Sequence, residues 1–284
     1  MHIEVQKELN QFQKLVSVSC HETYEPYFWW SEQVIKQNID NRVLQQNIPE
    51  AEIYEVGKNK LKNPTIFVGF VGAGLVGTIA VDHMINELDM KEIGFLRSKH
   101  LPPSTVFMQG RLRHPFRIYS NSDGSICAII CEIVISQDGI YNIAMAILDW
   151  AEKKGSTEII VLDGVADKKH DGNAFFAAEV DLCRVMEEND IQMVPQGFIT
   201  GISGGILNEC LIRKIRGITL LVKADELTPD PIAAATIIDA INRVYDTEIN
   251  TKNLKKQKEQ MSTDLKELSD KYSEHKKIDS NMYM

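Results

Sequence analysis

The sequence predicts an α/β protein whose body, residues 61–250, folds as a three-layer α/β/α sandwich. From about residue 64, short apolar runs alternate with amphipathic stretches, a pattern typical of a sheet between two helical layers. The first run, residues 65–71, is β-branched and apolar on both faces, as a central parallel strand should be. A glycine-rich turn and a helical stretch follow it directly, which indicates a strand-turn-helix unit.

The remaining elements of the body continue this alternation. Further strands are predicted at residues 92–96, 126–135, 158–162, 192–194 and 218–222. Helices are predicted at residues 141–154, 206–214 and 229–245. The first of these helices stops at Gly155, a good C-terminal cap, and the last begins with a Pro-Asp-Pro start.

Two segments flank the body. Residues 1–60 are an N-terminal extension of unknown role, and they include an aromatic cluster that we expect to dock on the body rather than to face a partner. Residues 251–284 form a charged helical tail. Its apolar or semi-apolar side chains are Leu254, Met261, Leu265, Leu268, Tyr272 and His275. From Met261 onward, the spacing between successive members of this set alternates between four and three residues. This spacing predicts a helix that projects from the body. It is either single, steadied by charge pairs, or paired between subunits.

Composition narrows the classes of function. The chain has 284 residues, 44% of them hydrophobic, so it can bury a core. We expect a cytoplasmic protein, because the sequence contains neither a long apolar run nor a signal-peptide pattern. The formal charge of -9 argues against nucleic acid as a partner. Five scattered cysteines without a CxxC pair argue against a zinc site and a disulfide framework, so no metal is expected.

A glycine motif supports two interpretations. Gly72, Gly74 and Gly77 match the GxGxxG spacing of a dinucleotide-binding loop, between a strand and a helix. The acidic residue that should follow at the end of the next strand is missing, since that strand exits into Arg97-Ser98-Lys99. The favoured interpretation is therefore structural: the glycines permit a tight turn and close packing of the helix on the sheet. A nucleotide- or small-molecule-binding enzyme remains the alternative function.

No catalytic set can be assembled from the sequence. Gly201-x-Ser203-x-Gly205 matches the letters of a nucleophile elbow, but His275, in the charged tail, is the only later histidine. Acidic residues and a histidine also crowd the segment after the strand at 158–162, namely Asp163, Asp167, His170 and Asp171. Their mixture with lysine and glycine is typical of a solvated loop, and no metal ligands can be paired there. We expect no catalytic residues and no cofactor.

Several separated blocks of sequence resemble one known family. They are residues 67–80, Leu101-Pro102-Pro103, the segment from Gly110 to Tyr119, residues 197–208 and residues 229–235. In order and spacing they resemble the archaeal branch of the proteasome assembly chaperone family, over about residues 60–250. One departure is Val71, where the family commonly has proline. The resemblance implies a phosphorylase/hydrolase-like sandwich that forms homo-oligomers, has no established catalytic residues to carry over and binds proteasome subunits.

The last three residues are similar to the hydrophobic-tyrosine-any signature with which proteasome activators engage the core particle. The similarity implies that Met282, Tyr283 and Met284 dock between α-subunits of that particle. The expected function is thus a non-enzymatic proteasome assembly chaperone or an ATP-independent activator that binds the α-ring through its C-terminus. We also expect self-association through the body, by way of the apolar helix at residues 232–241.

Overall fold

A nine-stranded mixed sheet forms the middle layer of the body. The computed structural model describes residues 48–57, 60–108, 110–167, 171–226 and 228–256. The strands are β1 Glu52–Glu55, β2 Thr65–Phe70, β3 Lys91–Arg97, β4 Val106–Met108, β5 Arg111–Arg113, β6 Phe116–Ser120, β7 Ile126–Cys131, β8 Glu158–Ala166, β9 Ala174–Ala178, β10 Gln192–Met193 and β11 Arg216–Ala224. The helices are α1 Val76–Glu87, α2 Ile140–Lys153, α3 Val180–Glu188, α4 Gly201–Arg213 and α5 Pro231–Tyr245.

The centre of the sheet is parallel. Its strand order is β1-β3-β6-β7-β2-β8-β11-β9-β10, and the four central strands β7, β2, β8 and β11 run parallel to one another. Ile66, Phe67 and Val68 of β2 are fully buried, which explains why the first apolar run has no polar face. The β4 and β5 strands form a separate hairpin.

Helices cover both faces of this sheet. One core contains Phe67 together with residues of α1, α3 and α5, and the other contains Ile66 and Val68 together with residues of α2 and α4. Neighbouring residues of β2 therefore point into different cores, as the two-residue period of a strand requires. The predicted three-layer α/β/α fold is confirmed.

The β4–β5 hairpin and His114, which follows it, contact side chains of β3 and β6 on the α1 face of the sheet. Phe95 and Arg117 lie in one row with Ile130, which belongs to the α1 core. His114 stacks on Phe95 with ring centroids 3.9 Å apart, and Met108 Sδ lies 3.9 Å from Arg117 Nη2.

Three predictions about elements need correction. Helix α4 begins at Gly201 instead of residue 206, so Ser203 lies in its first turn. Strand β7 ends at Cys131 instead of residue 135, because the chain leaves the sheet after the Glu132 amide donates to the Pro115 carbonyl. The apolar stripe of α5 is buried inside its own domain, and it is not an exposed interface.

The core also extends beyond the range of the predicted sandwich. Strand β1 lies in the stretch assigned to the N-terminal extension and pairs antiparallel with β3. At the other end, Ile249, Thr251 and Leu254 are buried, and Leu254 belongs to the α1 core. Residues 252–256 are helical, and Thr251 Oγ1 donates to the Asp239 carboxylate of α5 at 3.0 Å. The beginning of the tail is therefore part of the body.

Candidate functional site at the carboxyl edge of the parallel strands

The conspicuous motifs of the sequence converge at the carboxyl ends of β2, β8 and β11. The glycine turn follows β2, Asp163 lies in the second half of β8, and α4 and α5 both begin nearby. The Asp230 amide, at the start of α5, donates to the Gly74 carbonyl at 2.8 Å. Ligand sites of α/β sheets commonly form at this edge, so its geometry decides between the interpretations of the glycine motif.

Close packing explains Gly69 and Gly77. A Cβ atom at Gly77 would lie 2.3 Å from the Leu162 carbonyl oxygen, and one at Gly69 would lie 2.1 Å from the Gly77 carbonyl oxygen. Both distances are far below a van der Waals contact. The backbone of α1 therefore lies directly on β2 and β8, and only glycine permits this approach.

Gly72 and Gly74 complete the turn. Gly74 has a φ of 62°, in the left-handed region, and the Leu75 amide donates back to the Gly72 carbonyl at 3.0 Å. A Cβ atom at Gly72 would lie 2.5 Å from Asp163 Oδ1. A carboxylate fills this side of the loop, where a pyrophosphate would meet like charge. The geometry of Gly72, Gly74 and Gly77 thus favours the structural interpretation over cofactor binding.

Asp163 is held by two hydrogen bonds. The Ser203 hydroxyl donates to Asp163 Oδ2 at 2.9 Å, and the Gly164 amide donates to Oδ1 at 2.8 Å. Burial raises the pKa of the Asp163 carboxyl, although these two hydrogen bonds oppose the shift. Ser203 is only 4% exposed. The pair ties the first turn of α4 to β8 beside the glycine turn.

This arrangement lacks the base that a serine nucleophile needs. Among the described residues, no hydrogen bond joins Ser203 to a histidine: His83 contacts the Asn250 carbonyl, and His100 contacts the Glu50 carboxylate. His114 stacks on an aromatic ring instead. Ser203 is therefore a buried structural donor in this geometry.

The acidic segment after β8 forms ion pairs with one lysine. Lys223 Nζ lies 2.9 Å from the Asp171 carboxylate and 3.5 Å from that of Asp167. His170, which the sequence placed in the same cluster, lies outside the described residues. In the part of the chain that the structure describes, no group of three or more His, Cys, Asp or Glu side chains could hold a metal ion.

Arg117 is a buried charge that the sequence reasoning did not single out. Its side chain is 1% exposed, and its Nη1 lies 2.6 Å from Glu132 Oε2. Arg117 also donates to the Tyr119 hydroxyl at 2.8 Å and to the His114 carbonyl at 2.7 Å. No strand was predicted at residues 116–120, so neither the orientation of Arg117 nor its partner Glu132 could be read from the sequence.

An open groove runs along the outer face of α1. It has a volume of about 350 Å³. Its lining residues are Val71, Leu75, Thr78, Ile79, Asp82, His83, Asn86, Ile130, Glu132 and Leu254. Met282, Tyr283 and Met284, for which the sequence predicts docking, lie outside the described residues, which end at Lys256.

Comparison with known proteins finds one family and several archaeal proteins that are similar to this chain. The model of the PAC2 family matches residues 66–269. A protein of unknown function from Thermoplasma acidophilum is 34% identical, with a TM-score of 0.67, over 77% of this chain and 90% of that one. An uncharacterized protein of Methanocaldococcus jannaschii is 27% identical over 79% of this chain and 93% of its own length.

Solved structures of two Pyrococcus furiosus proteins share the fold of this chain. PbaA, described as an archaeal homolog of proteasome-assembly chaperone, is 25% identical, with a TM-score of 0.73, over 82% of this chain and 98% of that one. PbaB, described as an archaeal proteasome activator, is 20% identical, with a TM-score of 0.69, over 78% of this chain and all of that one. None of the helices in the described part of this chain has the length and hydrophobicity needed to cross a bilayer.

Proposed function

Because the chain belongs to the PAC2 family, we propose that it is a non-enzymatic proteasome assembly chaperone or ATP-independent proteasome activator. The observation that carries this proposal is the match to PbaA, which extends over nearly the whole of that protein and is 25% identical. The buried Asp163–Ser203 pair is consistent with a scaffold rather than an enzyme, since its hydroxyl has neither access nor a base. We place the protein in the cytoplasm, where such a partner would be met.

The proposed anchor is the C-terminal tripeptide. The terminal carboxylate of Met284 offers a fixed charge to a lysine in a pocket between α-subunits of the core particle. The ring of Tyr283 supplies rigid apolar area and a hydroxyl that can donate a hydrogen bond, and Met282 fills a neighbouring apolar recess. The polar residues 279–281 leave the tripeptide enough freedom to find its pocket.

Self-association would make this weak anchor effective. Several tails on one oligomer bind together, because the first contact raises the effective concentration of the others. The buried stripe of α5 cannot supply the interface. Exposed apolar side chains occur instead on the β4–β5 hairpin, where Phe107 and its cross-strand partner Leu112 are 76% and 77% exposed. Such a pair is a candidate contact between copies.

Binding to the purified core particle tests the proposal. The intact protein should bind, whereas Tyr283→Ala and a chain with one residue added after Met284 should bind at least about tenfold more weakly, since they lose the ring and displace the carboxylate. Tyr272→Ala, another tyrosine of the tail, is the matched control and should bind like the intact protein. Unchanged binding by the first two variants would mean that the tripeptide is not the anchor.

Two further measurements separate the two forms of the proposal. An activator should raise hydrolysis of short peptides by the mature core particle without ATP. An assembly chaperone should accelerate formation of the particle from separated α- and β-subunits and leave peptide hydrolysis unchanged. A protein that does neither and does not bind any form of the particle would contradict the proposed function.

A further inference from the structure

The groove along α1 is an open helix face beside the start of the tail. Six of its lining residues follow one another at helical spacing. Leu75 directly precedes α1, and the others lie on α1: Thr78, Ile79, Asp82, His83 and Asn86. Val76, Ala80 and Met84, on the opposite side of the same helix, are fully buried against the sheet. From Leu75 to Asn86 this face is about 16 Å long, at about 1.5 Å per residue.

The groove has an apolar half and a polar half. Near the start of α1, Leu75 and Ile79 line it together with Val71 and Ile130. Asp82 and Glu132 add carboxylates to its lining; Glu132 already pairs with Arg117 at 2.6 Å, which leaves the Asp82 carboxylate to face a charge of the occupant. Burial, together with the nearby Glu132 carboxylate, raises the pKa of the Asp82 carboxyl. The groove therefore suits an occupant that combines apolar side chains with a positive charge.

The chain itself reaches this groove at its last described residues. Leu254 lines the groove and is 2% exposed. His83 holds the chain just before it, with Nε2 2.7 Å from the Asn250 carbonyl oxygen. Residues 252–256 are helical, and 28 residues follow them. The tail thus starts in contact with the groove.

The apolar stripe of the tail is in phase with Leu254. Met261, Leu265 and Leu268 follow it by seven, eleven and fourteen residues, so on a continuous helix all lie within about 40° of Leu254, at ~100° per residue. Lys258 falls on the same face, four residues after Leu254. The stripe from Leu254 to Leu268 is about 21 Å long, which is enough to span the face of about 16 Å between Leu75 and Asn86.

We propose that residues 257–268 continue the helix at 252–256 and lie in the groove of their own chain. In this arrangement Met261 and Leu265 cover Leu75 and Ile79, and the Lys258 ammonium faces the Asp82 carboxylate. The groove is then the seat of the first half of the tail. Residues 269–284 remain free, and they can extend at most about 53 Å from the body, at ~3.3 Å per residue.

A photochemical cross-link identifies the occupant of the groove. In the full chain, Met261→p-benzoylphenylalanine should cross-link to residues of α1 or to Ile130, as read by mass spectrometry. Thr263→p-benzoylphenylalanine is the matched control, because residue 263 lies about 180° from Leu254 on the same helix and should not reach the groove. Equal cross-linking at both positions, or none at position 261, would overturn the proposal.

Isotope mixing distinguishes a contact within one chain from a contact between two copies of the chain. Unlabelled and ¹⁵N-labelled chains are mixed before illumination. If the contact lies within a chain, as proposed, both halves of every cross-linked peptide should carry the same isotope. Mixed peptides would overturn the assignment in favour of a second copy as the occupant. The experiment contains no core particle, so its result is independent of the proposed function.

Limited proteolysis provides a second measurement on the same segment. Leu265→Asp should accelerate tryptic cleavage after Lys258 and Lys266 by about tenfold or more, because one buried leucine changes an opening equilibrium by at least this factor. Thr263→Asp, the matched charge on the opposite face, should leave the rate near that of the unaltered protein. Equal acceleration by the two variants would contradict a seated helix.

Discussion

Ser203 donates a hydrogen bond of 2.9 Å to the carboxylate of Asp163; Ser203 is buried and Asp163 is half-buried. The two residues are 40 positions apart in the sequence and belong to α4 and β8. Asp163 also fills the space that a side chain at Gly72 would need. One hydrogen-bonded pair thus joins a helix, a central strand and the glycine turn.

The Asp163–Ser203 pair should contribute measurably to stability. We expect Asp163→Ala to lower the free energy of unfolding by about 2–3 kcal/mol, because it leaves the buried Ser203 hydroxyl without an acceptor. Asp163→Asn is the matched control. Its amide can accept from the Gly164 amide and donate to Ser203, so its cost should be within about 1 kcal/mol. Urea unfolding measures both values, and equal losses for the two variants would contradict this role.

Stability should depend on pH through Asp163. Its pKa in the folded protein is raised, so the folded state binds this proton more tightly than the unfolded chain. The ionised carboxyl therefore destabilises the fold at neutral pH, and this penalty disappears as the pH falls through the raised pKa toward the unfolded value of 3.8. The unfolding free energy of the unaltered protein, minus that of Asp163→Asn, should rise as the pH is lowered from about 7 to about 4. A difference independent of pH would contradict the shift.

Gly77 should not tolerate a side chain. We expect Gly77→Ala to cost about 3 kcal/mol or more, since its Cβ would lie 2.3 Å from a backbone oxygen of β8. Gly197 is the matched control, because a Cβ atom there meets nothing within 4 Å, and Gly197→Ala should change stability by no more than about 0.5 kcal/mol. Thermal or urea unfolding gives the comparison. A mild effect of Gly77→Ala would mean that α1 does not lie on the sheet as described.

The buried Arg117–Glu132 pair should be expensive to break. We expect Arg117→Ala to cost about 3–5 kcal/mol, because it leaves the Glu132 carboxylate without its partner. Arg184→Ala removes an exposed ion pair with Glu188, spaced four residues along a helix, and should cost about 0.3–0.5 kcal/mol. Urea unfolding of both variants measures the two losses in unfolding free energy. Similar small losses would contradict the burial of Arg117.

Nucleotides should not stabilise the protein. A ligand at a hundred times its dissociation constant would add about 2.7 kcal/mol to the unfolding free energy. We expect NAD, NADP and ATP to leave the melting temperature unchanged, because the Asp163 carboxylate occupies one side of the glycine turn. A stabilisation that Gly74→Ala abolishes would restore the cofactor interpretation of this loop.

Local patterns in the sequence were enough to predict the fold class. Residues 65–71 are apolar on both faces because a central parallel strand is covered on both faces, and Thr65–Phe70 is that strand. The helix at residues 141–154 was predicted within one residue at each end, because its apolar spacing and the following Gly155 are local signals. The structural interpretation of the glycine motif came from the sequence too, because the next strand exits into Arg97-Ser98-Lys99 and lacks the acidic residue of a dinucleotide site.

The elements that the sequence missed have weak local signals. Strands β4 and β5 have three residues each, which is too short for an alternation of apolar and polar residues to be recognised in the sequence. The stripe of α5 shows why burial is hard to predict. An apolar helix face predicts that something covers it, but it does not say whether the cover is the same chain or another copy.

By itself, the sequence determined the alternation of strands and helices, the need for glycine after β2 and the tripeptide from which core-particle binding is proposed. Only the tertiary structure decided that Ser203 meets Asp163, that Arg117 meets Glu132 and that the tail begins in a groove of α1. The physical reason is the range of the interactions. Backbone geometry and periodicity act over a few residues, whereas partners of buried polar groups come from distant strands and helices once the sheet is assembled.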